Sequence, residues 1–357
     1  MNHLKSCNDH DVAAAIRLVN IIREKENLPE QFRVEMDKQI VKLSRKMIKQ
    51  DLPNHIEIEE CRKLSGREPI DAATFTLVNI LREKDSLPAR LQRKFDKKIN
   101  KISSRMMNES NLFLQSLDIE EHDEDSVRAV IKIFPESLSH INTMGRIPIQ
   151  EACFSIQSVM FVPLFAEEGL KMNVGGDSSR GGLLMTIPRQ ARPTNTLQLL
   201  SGYKHERNPH TYDKMSARVL KRLKRRFLMH PTDIFKYDLA ILASYPSCKN
   251  RFEQLINMNP NLLNGPENGE PFLNTIIFQE NLSGSMERFE LVLGAAIRYH
   301  PEKEGFLFKR FNENSENACD LTFKVLMKEE ALTLVRKCVP ERTNYQIYTR
   351  IYMQYFQ

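Results

Sequence analysis

The chain has 357 residues, of which 41% are hydrophobic and 27% charged, with a net charge of +6 and no tryptophan. That length suits about two domains with cores that need no covalent staples, and the composition excludes a disordered or fibrous class. A net charge of +6 is too small at this length to argue for a polyanionic partner by itself, so charge is read locally.

The N-terminus, "MNHLKSCNDHD", has no apolar core and carries acids, which does not fit a secretory signal. An internal repeat follows. "RLVNIIREKENLPEQF" and "TLVNILREKDSLPARL" align without a gap, matching Leu18 to Leu77, Asn20 to Asn79, Pro29 to Pro88 and Asp37 to Asp96. Repeats decide architecture before anything else does. Each copy reads as two helices joined at a Leu-Pro step, over about 12–48 and 71–107. Ala14, Leu18, Ile21 and Ile22 make one apolar face in copy one; Phe32, Met36, Ile40, Leu43 and Met47 make a longer one. Leu91, Phe95, Ile99, Ile102 and Met106 repeat the longer face in copy two. Spacings of three and four fit the helical period, and proline suits a first helical turn. One hairpin cannot bury its stripe alone, so the two hairpins pack together or each binds a partner. The outer faces of the long helices are basic, over 33–49 and 90–105. Their phenylalanines fall on the apolar stripe, which argues against stacking on bases.

"DIEEHDED", Asp118 to Asp125, reads as an acidic linker closing a first domain at about residue 110. "VRAVIKIFPESLSHINTMGRIPIQEACF" then reads helix, proline stop, turn and short helix. Asn142, Gly145, Pro148, Ile149 and Ala152 resemble the turn and first helix of an ankyrin repeat, with Ile147 in place of the family threonine and Gln150 in place of the histidine. "VPLFAEEGLKMN" is similar to that unit's second helix, with Gly169 where the family has its left-handed C-terminal glycine. Later echoes lie at Asn264, Gly269, Pro271, Phe272 and Leu273, and at Ala318, Cys319 and Leu321. The resemblance covers roughly residues 124–340 as a divergent array with insertions. It implies a concave binding surface for protein partners and no chemistry of its own.

"NVGGDSSRGGLL" raises the question of a phosphate loop. Gly176 and Gly181 have the Walker spacing, but Gly182 and Leu183 stand where lysine and serine or threonine are required. No strand precedes it, and prolines follow it. It reads as the next inter-repeat turn, with positive φ at its glycines and Arg180 near its tip. "KHERNPHTYD" sets His205 and His210 near Glu206 and Asp213, but Pro209 keeps them off one helical face, against a metal site. "KMSARVLKRLKRRF", Lys214 to Phe227, reads as an amphipathic helix with Met215, Val219, Leu223 and Phe227 as its stripe, flanked by Leu220. Its charges, Lys221, Arg222, Lys224, Arg225 and Arg226, are a solvated face, an import signal or phosphate contacts. In the tail, "YQIYTRIYMQYFQ" puts Tyr348, Ile351, Tyr352 and Tyr355 on one face of a capping helix over 341–357.

The six cysteines have no zinc-knuckle or redox spacing and read as reduced, mostly buried thiols of a cytoplasmic or nuclear protein. No apolar run reaches the ~18 residues of a membrane span. The expectation is therefore a mostly α protein: helical hairpin repeats over 1–110, an acidic linker over 111–125, then a degenerate ankyrin-like helical stack over 126–340. The sequence carries no catalytic constellation. The expected function is a non-enzymatic protein-binding adaptor or scaffold, without cofactor or metal. Partner contacts are placed at Met144, Arg146, Ser178 and Arg180, and at Lys221, Arg222 and Arg225. The alternative is a nucleic-acid-associated protein using the basic helices over 33–49, 90–105 and 214–226.

Overall fold

A computed structural model of the chain describes residues 17–22, 24, 27–48, 89–177, 179–187, 194–265, 271–279, 286–310, 317–325, 328–339 and 341–356. Among these the chain is helical and no strand occurs, only an isolated antiparallel bridge between Thr186 and Asn195. The mostly α class is as the periodicity predicts. The chain divides into two compact units, Met1–Ala152 with Leu164–Gly182, and Cys153–Pro163 with Leu183–Gln357. The acidic stretch falls inside the first unit, so it does not separate the two.

In the first unit, residues 17–22 are helical, followed by α1 (Glu30–Ile48), α2 (Ala89–Gln115), α3 (Glu124–Ile133) and α4 (Pro148–Ala152). Most of α5 (Val162–Met172) belongs to it as well. Leu18, Ile21, Phe32, Met36, Ile40, Ile99, Ile102 and Met106 are buried, on the stripes that the repeat predicts. The side chains of Ala14, Leu43, Met47, Leu91 and Phe95 lie outside the described residues, as does the first helix expected of the second hairpin. The two long helices pack on each other. Phe32 meets Phe113 edge to face at 5.2 Å, and Arg105 reaches Glu35 at 3.0 Å. α2 runs past the end of the repeat because Phe113 and Leu114 add another buried turn. On the basic faces, Lys38, Lys42, Arg93, Lys94, Lys97 and Lys101 are exposed, while Arg33 pairs with Glu30.

Asp123 starts α3, its carboxylate accepting the Ser126 N–H at 2.8 Å and the Ser126 hydroxyl at 2.7 Å. These bonds, the backbone one foremost, hold its pKa below the ordinary 3.8. The sign follows: its contribution is full above the unfolded carboxylate pKa and disappears as pH falls through the lower folded value. Asp123→Ala should lower stability at neutral pH by about 1 kcal/mol, the usual value of a side-chain N-cap. In thermal melts the gap between wild type and variant should close on acidification.

The second unit holds α6 (Thr196–Gly202), α7 (Pro209–Arg225), α8 (Pro231–Lys236), α9 (Leu239–Ala243) and α10 (Lys249–Met258). It continues with α11 (Phe272–Gln279), α12 (Met286–Tyr299), α13 (Ala318–Val325), α14 (Lys328–Cys338) and α15 (Glu341–Tyr355).

Two local devices recur along the chain. A helix ends two residues before a proline that opens a 3-10 turn at Pro135–Ser139, Pro260–Asn264 and Pro301–Phe306. The preceding residues share a backbone geometry: Phe134 at φ −125, ψ 60; Asn259 at φ −150, ψ 85; His300 at φ −134, ψ 57. Proline denies its predecessor the helical region, so the helix must end there. The second device is reciprocal capping. Asn195 with Gln198 and Asn317 with Asp320 form complete capping boxes, bonded at 2.9–3.0 Å. Gln150 and Asp233 also reach back to the residue before their helix, accepting the N–H of Ile147 and His230 at 3.2 and 2.7 Å.

The tail forms α15, with Ile347 and Ile351 buried and Tyr355 stacked on Phe323 at 4.3 Å. Tyr352 departs from the expected face. It is 61% exposed and stacks on Phe356 instead, because the face centres on Ile347 and Ile351.

Candidate partner-binding surface

The turn before α4 is held by one side chain. Asn142 Oδ1 accepts the N–H groups of Met144 and Arg146, both at 3.0 Å. Its own N–H bonds the Arg146 carbonyl at 2.9 Å, and Gly145 N–H bonds the Asn142 carbonyl at 2.9 Å. Gly145 sits at φ 79, in the left-handed region that closes this turn. Asn142 Nδ2 also donates to Glu151 at 3.0 Å, tying the turn to α4. A polar latch of this kind fixes the backbone and leaves the tip side chains in solvent. Ile141 is 49% and Met144 62% exposed. Arg146 faces the other way, paired with Glu151 at 3.4 Å with its side chain 18% exposed. It braces the turn, and Met144 presents the outer surface.

The glycine-rich stretch folds onto the helix before it. α5 ends in a Schellman motif, Val174 N–H to Gly169 carbonyl at 2.9 Å and Asn173 N–H to Leu170 carbonyl at 3.3 Å. The left-handed residue is Asn173, at φ 55. Gly169 was expected in that role but lies within the helix, where a Cβ would stand 3.0 Å from the Gly181 carbonyl oxygen. Its lack of a side chain serves close packing, not a left-handed cap. Gly175, Gly176, Gly181 and Gly182 all have positive φ, as the turn reading expects. Gly175 N–H donates to Ser139 Oγ at 2.8 Å. Arg180 is half-buried, and Ser178 lies outside the described residues. An isolated antiparallel bridge joins Thr186 to Asn195 just before α6.

α7 carries the densest charge. Val219, Leu220 and Leu223 are buried and Met215 half-buried, as the amphipathic pattern predicts. Phe227 breaks that pattern. It is 81% exposed, at φ 57, beyond the end of the helix. Its N–H bonds the Lys224 carbonyl and Leu228 N–H the Leu223 carbonyl, each at 3.0 Å, so Phe227 fills the Schellman position that glycine usually takes. The backbone turns left-handed there, which removes the ring from the stripe. Lys221 and Arg225 are exposed, whereas Arg222 is half-buried and reaches the Met160 carbonyl at 3.5 Å.

Beneath α7 lies a buried ion pair. Arg251 Nε donates to Asp213 Oδ1 at 2.9 Å, with both side chains at most 2% exposed. Asp213 also accepts Asn250 N–H and Nδ2, at 2.8 and 2.7 Å. Arg251 Nη1 donates to the carbonyls of Leu200 and Tyr203, at 3.0 and 2.8 Å, at the end of α6. Arg288 serves α9 in the same way, donating to Ile241 O at 3.0 Å and Ser244 Oγ at 2.6 Å. Both arginines open an Arg-Phe-Glu triplet, Arg251–Glu253 and Arg288–Glu290, a repeated signal that hydrophobic periodicity does not reveal. The carboxylate of Asp213 is thus committed to structure, and His205 stacks on Tyr212 at 5.8 Å. No group of three or more metal-ligating side chains occurs among the described residues.

Burial pushes the Cys319 and Cys338 thiols up to about 12 and raises Cys248 as well, so these sulfurs are protonated at neutral pH. Each unit has open grooves among the described residues, of which two stand out by their charge. The first, about 670 Å³, is lined by Glu30, Arg33, His122, Asp125 and Arg128, among others. The second, about 620 Å³, includes Glu253, Glu290, Arg298 and Lys337. Each mixes charges of both signs. Among the described residues no helix is long and apolar enough to cross a membrane. Neither a family model, nor a curated protein, nor a solved structure matches this chain.

Proposed function

We propose that this protein is a non-enzymatic adaptor or scaffold of the cytoplasm or nucleus, binding protein partners through a divergent ankyrin-like helical surface. The observation that carries the reading is the tip at Ile141 and Met144, two large apolar side chains in water on a turn latched by Asn142. Exposed apolar groups on a rigid frame lose little entropy on docking. The ankyrin-like pattern around Asn142–Ala152 supports the same surface, with Gln150 bonding the Ile147 N–H from the position of the family histidine.

The test is purification from native cells of the wild type against an Ile141→Ser, Met144→Ser double variant. Both positions are exposed, so the variant should fold with an unchanged melting temperature. The co-purifying proteins of the wild type should fall at least several-fold with the variant. An unchanged set rejects the tip as the binding surface.

A further inference from the structure

One face of α7 is a continuous strip of positive charge. Lys214, Arg218, Lys221 and Arg225 follow at spacings of four, three and four, so they share a helical face, with Lys224 beside them. All five are exposed. None of them forms an ion pair among the described residues. The strip spans about 16 Å at the helical rise. It lies opposite the buried face of Tyr212, Val219 and Leu223. The single acid of the helix, Asp213, is buried against Arg251. Nothing on the helix neutralises the strip.

At the end of this strip stands Phe227, 81% exposed and held in a left-handed conformation that suits glycine. Strain at a non-glycine residue points toward function when no packing explains it. Here the ring packs little, and glycine would make the same cap without strain.

We propose that the outer face of α7 binds single-stranded nucleic acid, with the cations along the backbone and a base stacked on Phe227. Charge complementarity selects a polyanion, and the linear strip selects a linear one. The ring selects among linear polyanions, since unpaired bases present flat faces and acidic peptides do not. An anionic bilayer is the weaker fit, because the exposed face offers one apolar group and otherwise cations. This proposal stands apart from the adaptor reading, and either can fail alone.

The experiment is fluorescence anisotropy of the full chain with a labelled single-stranded oligonucleotide of about 20 nucleotides, across a salt series. Five engaged cations predict a log–log salt slope near −3.5, at about 0.7 per phosphate neutralised. A Lys221→Glu, Arg225→Glu variant should bind more weakly, with a slope shallower by about 1.4. Phe227→Gly should melt higher than the wild type yet bind roughly fivefold more weakly or worse, from loss of one stacked base. A purely structural role for Phe227 cannot give those opposite signs. Absence of binding at about 50 mM salt overturns the proposal. So does an affinity unchanged by Phe227→Gly, which would leave only unspecific charge attraction. Binding to phosphatidylserine vesicles without binding to the oligonucleotide also overturns it.

Discussion

Alanine at position 181 should unfold or severely loosen the first unit. Gly181 has φ +57, and a Cβ there would stand 2.0 Å from the Ala166 carbonyl oxygen and 2.8 Å from the Leu170 nitrogen. Both atoms are backbone of α5, so no side chain can swing aside. The opposing surface is also glycine, since a Cβ on Gly169 would lie 3.1 Å from the Gly181 Cα. Loop and helix meet backbone to backbone. Left-handed strain of about 1–2 kcal/mol adds to overpacking of about 1–3 kcal/mol, giving roughly 2–5 kcal/mol for Gly181→Ala. That is a large share of the ~5–15 kcal/mol that holds a domain together. Circular dichroism melts should show a loss of several degrees or more, at about 2–4 °C per kcal/mol. The control is Gly294→Ala in α12, where a Cβ meets nothing within 4 Å. It should be neutral or stabilising by up to ~1 kcal/mol. Equal behaviour of the two variants would contradict the packing account.

The second large effect is expected at Asp213→Ala. Removing the carboxylate leaves the Arg251 guanidinium buried without its counter-charge and orphans the Asn250 donors. Breaking a buried pair from one side destabilises by about 3–5 kcal/mol. The melting temperature should fall by roughly 6–20 °C. Asp213→Asn keeps a hydrogen-bond acceptor and should fall between alanine and wild type. If Asp213→Ala melts like the wild type, Arg251 is not held as its contacts indicate. The consequence reaches binding, because Asp213 and Arg251 tie α7 to α10 and to the end of α6. A loosened α7 would carry its cationic strip on an unfixed support.

The helical class was legible because apolar spacing alone decides it. Leu18, Ile21, Phe32, Met36 and Ile40 were placed by period and are buried. The latched turn was legible for a different reason, since Asn142 and Gly145 carry their own backbone chemistry. At Phe227 and at the end of α5 a left-handed residue overrode the expected pattern. Phe227 belongs to the stripe by spacing, but a turn at φ 57 rotates it into solvent, and no periodic rule registers that. The left-handed cap expected at Gly169 falls on Asn173 instead, because asparagine tolerates that region, while Gly169 permits close contact. The buried arginines were invisible for a third reason. Arginine reads as surface unless the carbonyls it will satisfy are known, and those of Leu200, Tyr203 and Ile241 lie far along the chain. Of the candidate contacts, the structure leaves Met144, Lys221 and Arg225 outward, while Arg146 and Arg222 support the backbone around them.

The adaptor reading is tested most directly by native purification of the wild type beside the Ile141→Ser, Met144→Ser variant, each with and without nuclease. The account predicts discrete protein partners that survive nuclease and disappear with the variant. Partners that persist with the variant, or that nuclease removes entirely, would contradict it.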